Sequence, residues 1–231
     1  MKTPITHTLA AILALTLSLG TARAEVLLED TFSSSPGQSA PASVAGRDPA
    51  KGPKWDGTAM VDGGKGLVHD PKLLFSAAFS EINVPQDFKK LIVKIRYQPV
   101  NGRQFGFGFA NTDAGLRENL GDNRGLMWAG MVNRQACILA GIYGSGEGAE
   151  GLPIPSEEPI PRLVQMEFEI ENVGDPRTFL GRLVVNGTQL VAQEVLATEP
   201  PTFRFFFIQF RGEDGESSQA IVEEVSVEVE R

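Results

Sequence analysis

The stretch "KLIVKIRYQPV", residues 90–100, decides the fold. Leu91, Val93, Ile95 and Tyr97 fall on one side of an extended chain, and Lys94, Arg96 and Gln98 fall on the other. A period of two with β-branched residues on the apolar side predicts a strand buried on one face and wet on the other. The same pattern returns at 225–230, "VSVEVE", and at 165–172, "QMEFEIEN", where Met166, Phe168 and Ile170 alternate with Glu167, Glu169 and Glu171. "FRFFFIQF" (203–210) is apolar at nearly every position, as expected of a strand covered on both faces.

Further strands are predicted at 25–32, 58–62, 73–80, 104–110, 125–132, 135–143, 162–171, 178–186 and 188–196. Asn186-Gly187 between the last two is a two-residue hairpin signal, because both positions accept positive φ. The same residues read N-G-T, a glycosylation sequon, but the turn explains them without it. Only "TDAGLRENL" (112–120) suits a short helix. A dozen strands with almost no helix predict an all-β fold: a two-sheet antiparallel jelly-roll sandwich in one domain over 25–231. Two long loops interrupt it, 33–57 and 144–161.

The chain opens "MKTPITHTLAAILALTLSLGTARAEV". Lys2, the apolar run 9–20 and Ala22-Arg23-Ala24 spell a secretory signal over 1–24, too short for a membrane anchor. Its removal takes two of the 21 basic residues and none of the 29 acidic ones, deepening the formal charge from −8 to −10. That surface repels nucleic acid and anionic membranes, so the expected partners are a glycan or an extracellular protein, with no membrane insertion. The expected location is secreted or periplasmic. Cys137 is the single cysteine, so no internal disulfide supports the fold, and "QACILAGIYG" suits a buried thiol.

The order "VLLEDTF", "VAGRDPAKGPKW", "DGTAMVDGGKGLV", "KKLIVKIRYQPVNGRQFGFGF", "GLMWAGMV", "LVQMEFEIEN" and "GRLVVNGTQLV" resembles the concanavalin A-like lectin/glucanase superfamily, in particular the laminin-G-like jelly rolls of secreted bacterial proteins. The resemblance implies two antiparallel sheets, one of them concave, with carbohydrate on the concave face or its rim. Many such domains carry a C-terminal sorting tail. Here Arg231 directly follows the last strand, so release or periplasmic retention is expected over surface anchoring.

Glucanases of the superfamily carry an E-x-D-x-E strand, in which the first Glu is the nucleophile and the last the general acid. "EFEIE" is similar, which would give those roles to Glu167 and Glu171, but Glu169 stands where those enzymes place Asp. At about 3.4 Å per residue the outer Cα atoms lie roughly 13 Å apart, whereas retaining chemistry needs carboxyl groups about 5–5.5 Å apart. Three like charges on one side also describe a solvated strand, which is the preferred reading. The expectation is therefore a non-catalytic module that binds carbohydrate or another extracellular surface. The alternatives are a glycoside hydrolase or lyase using the Glu167/Glu169/Glu171 strand, and a structural or adhesion domain.

"QFGFGFAN" turns Phe105, Phe107 and Phe109 inward and strips the opposite side at Gly106 and Gly108, where either a sugar or an overlying loop could approach. With Trp128 in "GLMWAGMVNRQ", this suggests Asn111, Trp128, Arg134 and Tyr143 as a sugar-binding group; a buried Trp128 is the alternative. Trp55 is expected to plug the sandwich edge, and His69 to end a strand. No cofactor is expected. Turn chemistry explains the acidic loops "LGDNRG" (120–125) and "GEDGES" (212–217), with structural calcium as the alternative.

Overall fold

The computed structural model describes residues 24–32, 40–100, 104–117, 127–134, 137–144, 152–154, 162–196, 200–212 and 220–231; the side chains of 104, 132–134, 137–140 and 143–144 are left aside. The expected signal segment apart from Ala24, both calcium-candidate loops apart from Gly212, and most of 144–161 lie outside these residues. So do the side chains of Arg134, Cys137 and Tyr143.

Two antiparallel sheets face each other. One holds nine strands: β1 (Glu25–Asp30), β2 (Ala42–Ser43), β4 (Met60–Asp62), β5 (Gly66–Val68), β7 (Lys90–Pro99), β12 (Val164–Asn172), β13 (Thr178–Val185), β14 (Thr188–Leu196) and β16 (Ala220–Glu230). The other holds seven: β3 (Asp56–Gly57), β6 (Phe75–Glu81), β8 (Gln104–Ala110), β9 (Met127–Arg134), β10 (Cys137–Gly144), β11 (Leu152–Pro153) and β15 (Phe205–Arg211). The larger sheet runs β14-β13-β12-β7-β16-β5-β4-β2, with β1 on the C-terminal half of β16. The smaller runs β11-β10-β9-β8-β15-β6-β3. Sequence neighbours pair in β12–β13–β14 and β8–β9–β10, while β7, β15 and β16 cross between distant parts of the chain.

The predicted strand over 90–100 is β7, central in its sheet, with Leu91, Val93, Ile95 and Tyr97 buried in the core. One cluster gathers these with Phe105, Phe107 and Phe109 of β8, Met166, Phe168 and Ile170 of β12, and Phe206, Ile208 and Phe210 of β15. Each fully buried phenylalanine contributes about 1.5–3 kcal/mol by leaving water, so the inter-sheet layer dominates the stability. The hairpin at Asn186-Gly187 forms as expected, with φ of 49° and 79°. Asn186 also accepts a hydrogen bond from the Gln165 amide at 2.9 Å, fastening the turn to β12.

Two expectations need correcting. The described part of 112–120, residues 112–117, is a turn and not a helix; the Thr112 hydroxyl accepts from the Ala114 amide, the side-chain competition that disfavours helix at such residues, and the Asp113 backbone carbonyl accepts from the Leu116 amide to close the turn. The strand expected from 203 starts at Phe205, because Phe203 takes a φ of 47° and packs edge-on against Phe88, Phe109 and Phe179.

Candidate functional site

The acidic strand β12 lies between β7 and β13, so its outward glutamates meet cations from both neighbours. Glu169 binds Lys90 at 2.9 Å and Arg182 at 3.4 Å and is only 15 % exposed. Glu171 binds the other Nη of Arg182 at 2.8 Å. Glu167 faces Lys94 in register, yet the Lys94 ammonium turns to Glu228 on β16, reaching both oxygens at 2.9 and 3.1 Å. Two of the three glutamates are therefore held by arginine and lysine. Glu167 has no ion pair among the described residues.

A groove of about 520 Å³ crosses this face. Its floor is Lys94 and Arg96 of β7, Gln165 and Glu167 of β12, and Glu224 and Ser226 of β16; Thr31 beyond β1 and Gly187 in the hairpin turn stand at its ends. A second depression of about 660 Å³ adjoins it, sharing Thr31, Arg96 and Glu224 and adding Lys65, Gln98 and Glu223. A β-bulge makes the junction. β16 pairs Val222 with Tyr97 and Glu224 with Arg96, leaving Glu223 as the extra residue. Such a bulge re-aims side chains, and here two consecutive glutamates grip one guanidinium: Arg96 Nε binds Glu223 at 2.8 Å and an Nη binds Glu224 at 2.7 Å. Gln98 donates to the remaining Glu223 oxygen.

At one end the groove leans on Asp30, 2 % exposed, which accepts hydrogen bonds from Trp55 Nε1 (2.8 Å), Arg47 (3.1 and 3.2 Å) and the Phe32 amide (2.9 Å). A buried carboxylate with this many donors ties the 40–57 segment to β1. Trp55 is thus an edge plug with a polar anchor. Sequence pattern missed the anchor, since nothing local links residues 30, 47 and 55.

The seven-stranded sheet is different outside. Trp128 pairs with Gly108, and its ring lies across Gly106 and Gly130: a Cβ on Gly106 would come within 2.7 Å of ring carbons Cε3 and Cζ3. The glycine-paved surface is filled by this chain's own indole. Trp128 is 9 % exposed and joins Phe79, Ala110, Leu116, Phe205 and Phe207 in a separate apolar cluster outside the sheet. Leu116 is fully buried there, and Gln209 donates to its carbonyl at 3.0 Å, so the 111–117 loop covers the cluster. Asn111 accepts from the Thr202 amide at 2.6 Å and donates to the Pro200 carbonyl at 3.3 Å, joining two loops. Arg134 and Tyr143 belong to β9 and β10, with Tyr143 opposite Trp128 in register. Trp128 and the three glutamates stand on opposite outer faces of the sandwich.

His69 follows β5 and is buried, with Nδ1 at 2.7 Å from Ser76 Oγ. Desolvation pushes its pKa below the ordinary histidine value. Among the described residues no group of three or more His, Cys, Asp or Glu is placed to hold a metal ion, and no helix is long and apolar enough to cross a membrane.

No family model matches the chain, and no curated protein matches it. Solved structures do. A carbohydrate esterase from the Shiga toxin-encoding bacteriophage phi24B is similar with a TM-score of 0.55 at 10% identity, over 90% of this chain and 100% of that one. An endo-1,3-beta-glucanase from Streptomyces sioyaensis is similar with a TM-score of 0.52 at 17% identity, over 89% of this chain and 96% of that one. The fold is a concanavalin A-like jelly roll. At such identities the likeness is one of fold, and the jelly roll's activity has to be argued from its own side chains.

Proposed function

We propose that this jelly roll is an exported carbohydrate-binding module whose sugar site is the groove on the nine-stranded sheet, and that it binds without cleaving. The observation that carries the proposal is the groove itself: about 520 Å³, spread over neighbouring strands, with side-chain amide, hydroxyl, carboxylate, ammonium and guanidinium groups pointing into one trough. A rigid sheet presenting convergent polar groups suits a polyol chain, whose hydroxyls both donate and accept. The solved structures that share the fold include carbohydrate-active proteins, which supports the same reading.

Binding is preferred to hydrolysis because Glu169 and Glu171 are committed to Lys90 and Arg182. That leaves Glu167 as the one glutamate of the strand that lines the groove. The Asn111, Trp128, Arg134 and Tyr143 group belongs to the other sheet, where Trp128 is covered, and we do not place the sugar there. The laminin-G-like likeness, a glycan or extracellular protein as partner, and export through a signal ending at Ala24 complete this reading.

The test is a polysaccharide pull-down with the chain from residue 25 and with Ser226→Trp, which plugs the groove at β16. Retention on at least one polysaccharide, lost in the folded Ser226→Trp variant, is the expected result. Undiminished retention by that variant sinks the site, and release of reducing ends that Glu167→Gln abolishes sinks the non-catalytic half.

A further inference from the structure

The charges around the groove separate into two kinds. Both cations on its floor are already neutralised: Lys94 by both oxygens of Glu228, and Arg96 by Glu223 and Glu224 together. Asp30, at the wall, is matched by Arg47. Two lining carboxylates remain, Glu29 and Glu167, and neither has an ion pair or side-chain hydrogen bond among the described residues. They come from β1 and β12, which are separated in the sheet by β7 and β16, so a chain lying in the groove meets one at each side. The whole molecule adds to the same sign, at −8.

Resting on the carbohydrate-binding reading, we infer that the groove selects uncharged glycan chains and rejects polyuronates, with Glu29 and Glu167 as the residues that set this specificity. A free carboxylate is a strong acceptor for a sugar hydroxyl, so a neutral chain gains two charge-assisted hydrogen bonds. A uronate residue in the same place sets carboxylate against carboxylate. Among the described residues no free cation in the groove offsets that repulsion, because Lys94 and Arg96 would first have to abandon their glutamates. Specificity here comes from the repulsive element, a built-in penalty against the wrong ligand, as much as from attraction to the right one.

Three features make the inference separable from the binding site itself. It concerns sign and not affinity, it names two side chains on different strands, and it has a salt signature. Repulsion between partly exposed charges fades as the screening length shortens from about 30 Å at 0.01 M salt to about 8 Å at 0.15 M. Hydrogen bonding to a neutral chain has no such dependence.

The experiment is affinity electrophoresis of the chain from residue 25 through gels holding laminarin, a neutral β-glucan, or alginate, a polyuronate, at low and at physiological salt. The wild type is expected to be retarded by laminarin equally at both salts, and by alginate negligibly at low salt and more at high salt. The Glu29→Gln/Glu167→Gln variant is expected to raise the ratio of alginate to laminarin retardation about tenfold, the size of two repulsions at groove distance. Should the variant fail to fold, the wild-type salt response still decides. Alginate retardation that is strong at low salt and weakens with salt overturns the inference while leaving the binding site standing. A ratio unmoved by the double variant does the same. Retardation by neither polymer at either salt overturns the reading beneath it as well.

Discussion

Gly106 and Gly108 differ in what a methyl group would strike. At Gly106 the obstacle is the Trp128 ring, at 2.7 Å, which is side chain and can swing. At Gly108 it is the Met127 carbonyl oxygen and Trp128 Cα, which belong to the neighbouring strand's backbone. We predict that Gly106→Ala and Gly108→Ala both lower the urea midpoint, at about 1–3 kcal/mol each, with Gly108→Ala the worse. In a Trp128→Ala background, itself costing about 3–5 kcal/mol, the Gly106 penalty should vanish and the Gly108 penalty persist. An equal penalty in both backgrounds would mean that the indole does not lie on Gly106. The sequence made the bare strip visible through its glycine alternation, but what fills the strip depends on which strand pairs beside it. That is a long-range fact, and alternation within one strand cannot supply it.

At the scale of elements, the strands with clean alternation were readable: β7, β12, β13 and β14 start and end within two residues of expectation. β16 was read only from Val225 because Glu223 and Glu224 stand side by side and break the period, although the strand runs from Ala220. The bulge that spoils the pattern is what lets Ala220 and Val222 face inward on one side of it and Val225, Val227 and Val229 on the other. Deleting Glu223 would turn Ala220 and Val222 out of the core, since a slip of one residue reverses every side chain beyond it. We predict that this deletion is far more destabilising than Glu223→Ala, which removes one grip on Arg96 and keeps the bulge. Similar urea midpoints for the two variants would contradict the assignment. The groove escaped the sequence reading for a related reason. Its floor draws on β7, β12 and β16, and only the register brings Lys94, Glu167 and Ser226 into one row.

For the molecule as a whole, two buried titratable side chains set a pH window. Burial pushes the Tyr97 phenol far above its ordinary value of 10.0, and its hydroxyl donates to Met131 Sδ at 3.0 Å inside the core. A raised folded pKa gives stability that is whole below the unfolded value and is lost as pH rises beyond it. His69 is the reverse case. With its folded pKa lowered from 6.5 by desolvation, stability is whole above that value and falls as pH drops, because the unfolded chain takes up the proton first. The expected urea midpoint therefore has a plateau between about 6.5 and 10 in these two contributions. His69→Gln should flatten the acid side relative to wild type and Tyr97→Phe the alkaline side. Unchanged slopes in both variants would refute the assignment.

The position of β16 bears on when such a chain can fold at all. It is the last strand in the sequence and an interior one in its sheet, pairing with β7 on one edge and with β1 and β5 on the other. Without residues 220–230 the described sheet falls into three unjoined pieces, β14-β13-β12-β7, β5-β4-β2 and β1. The strands that β16 joins lie far apart along the chain, so the sheet closes only by long-range pairing, which slows folding and leaves the early edges waiting for a partner.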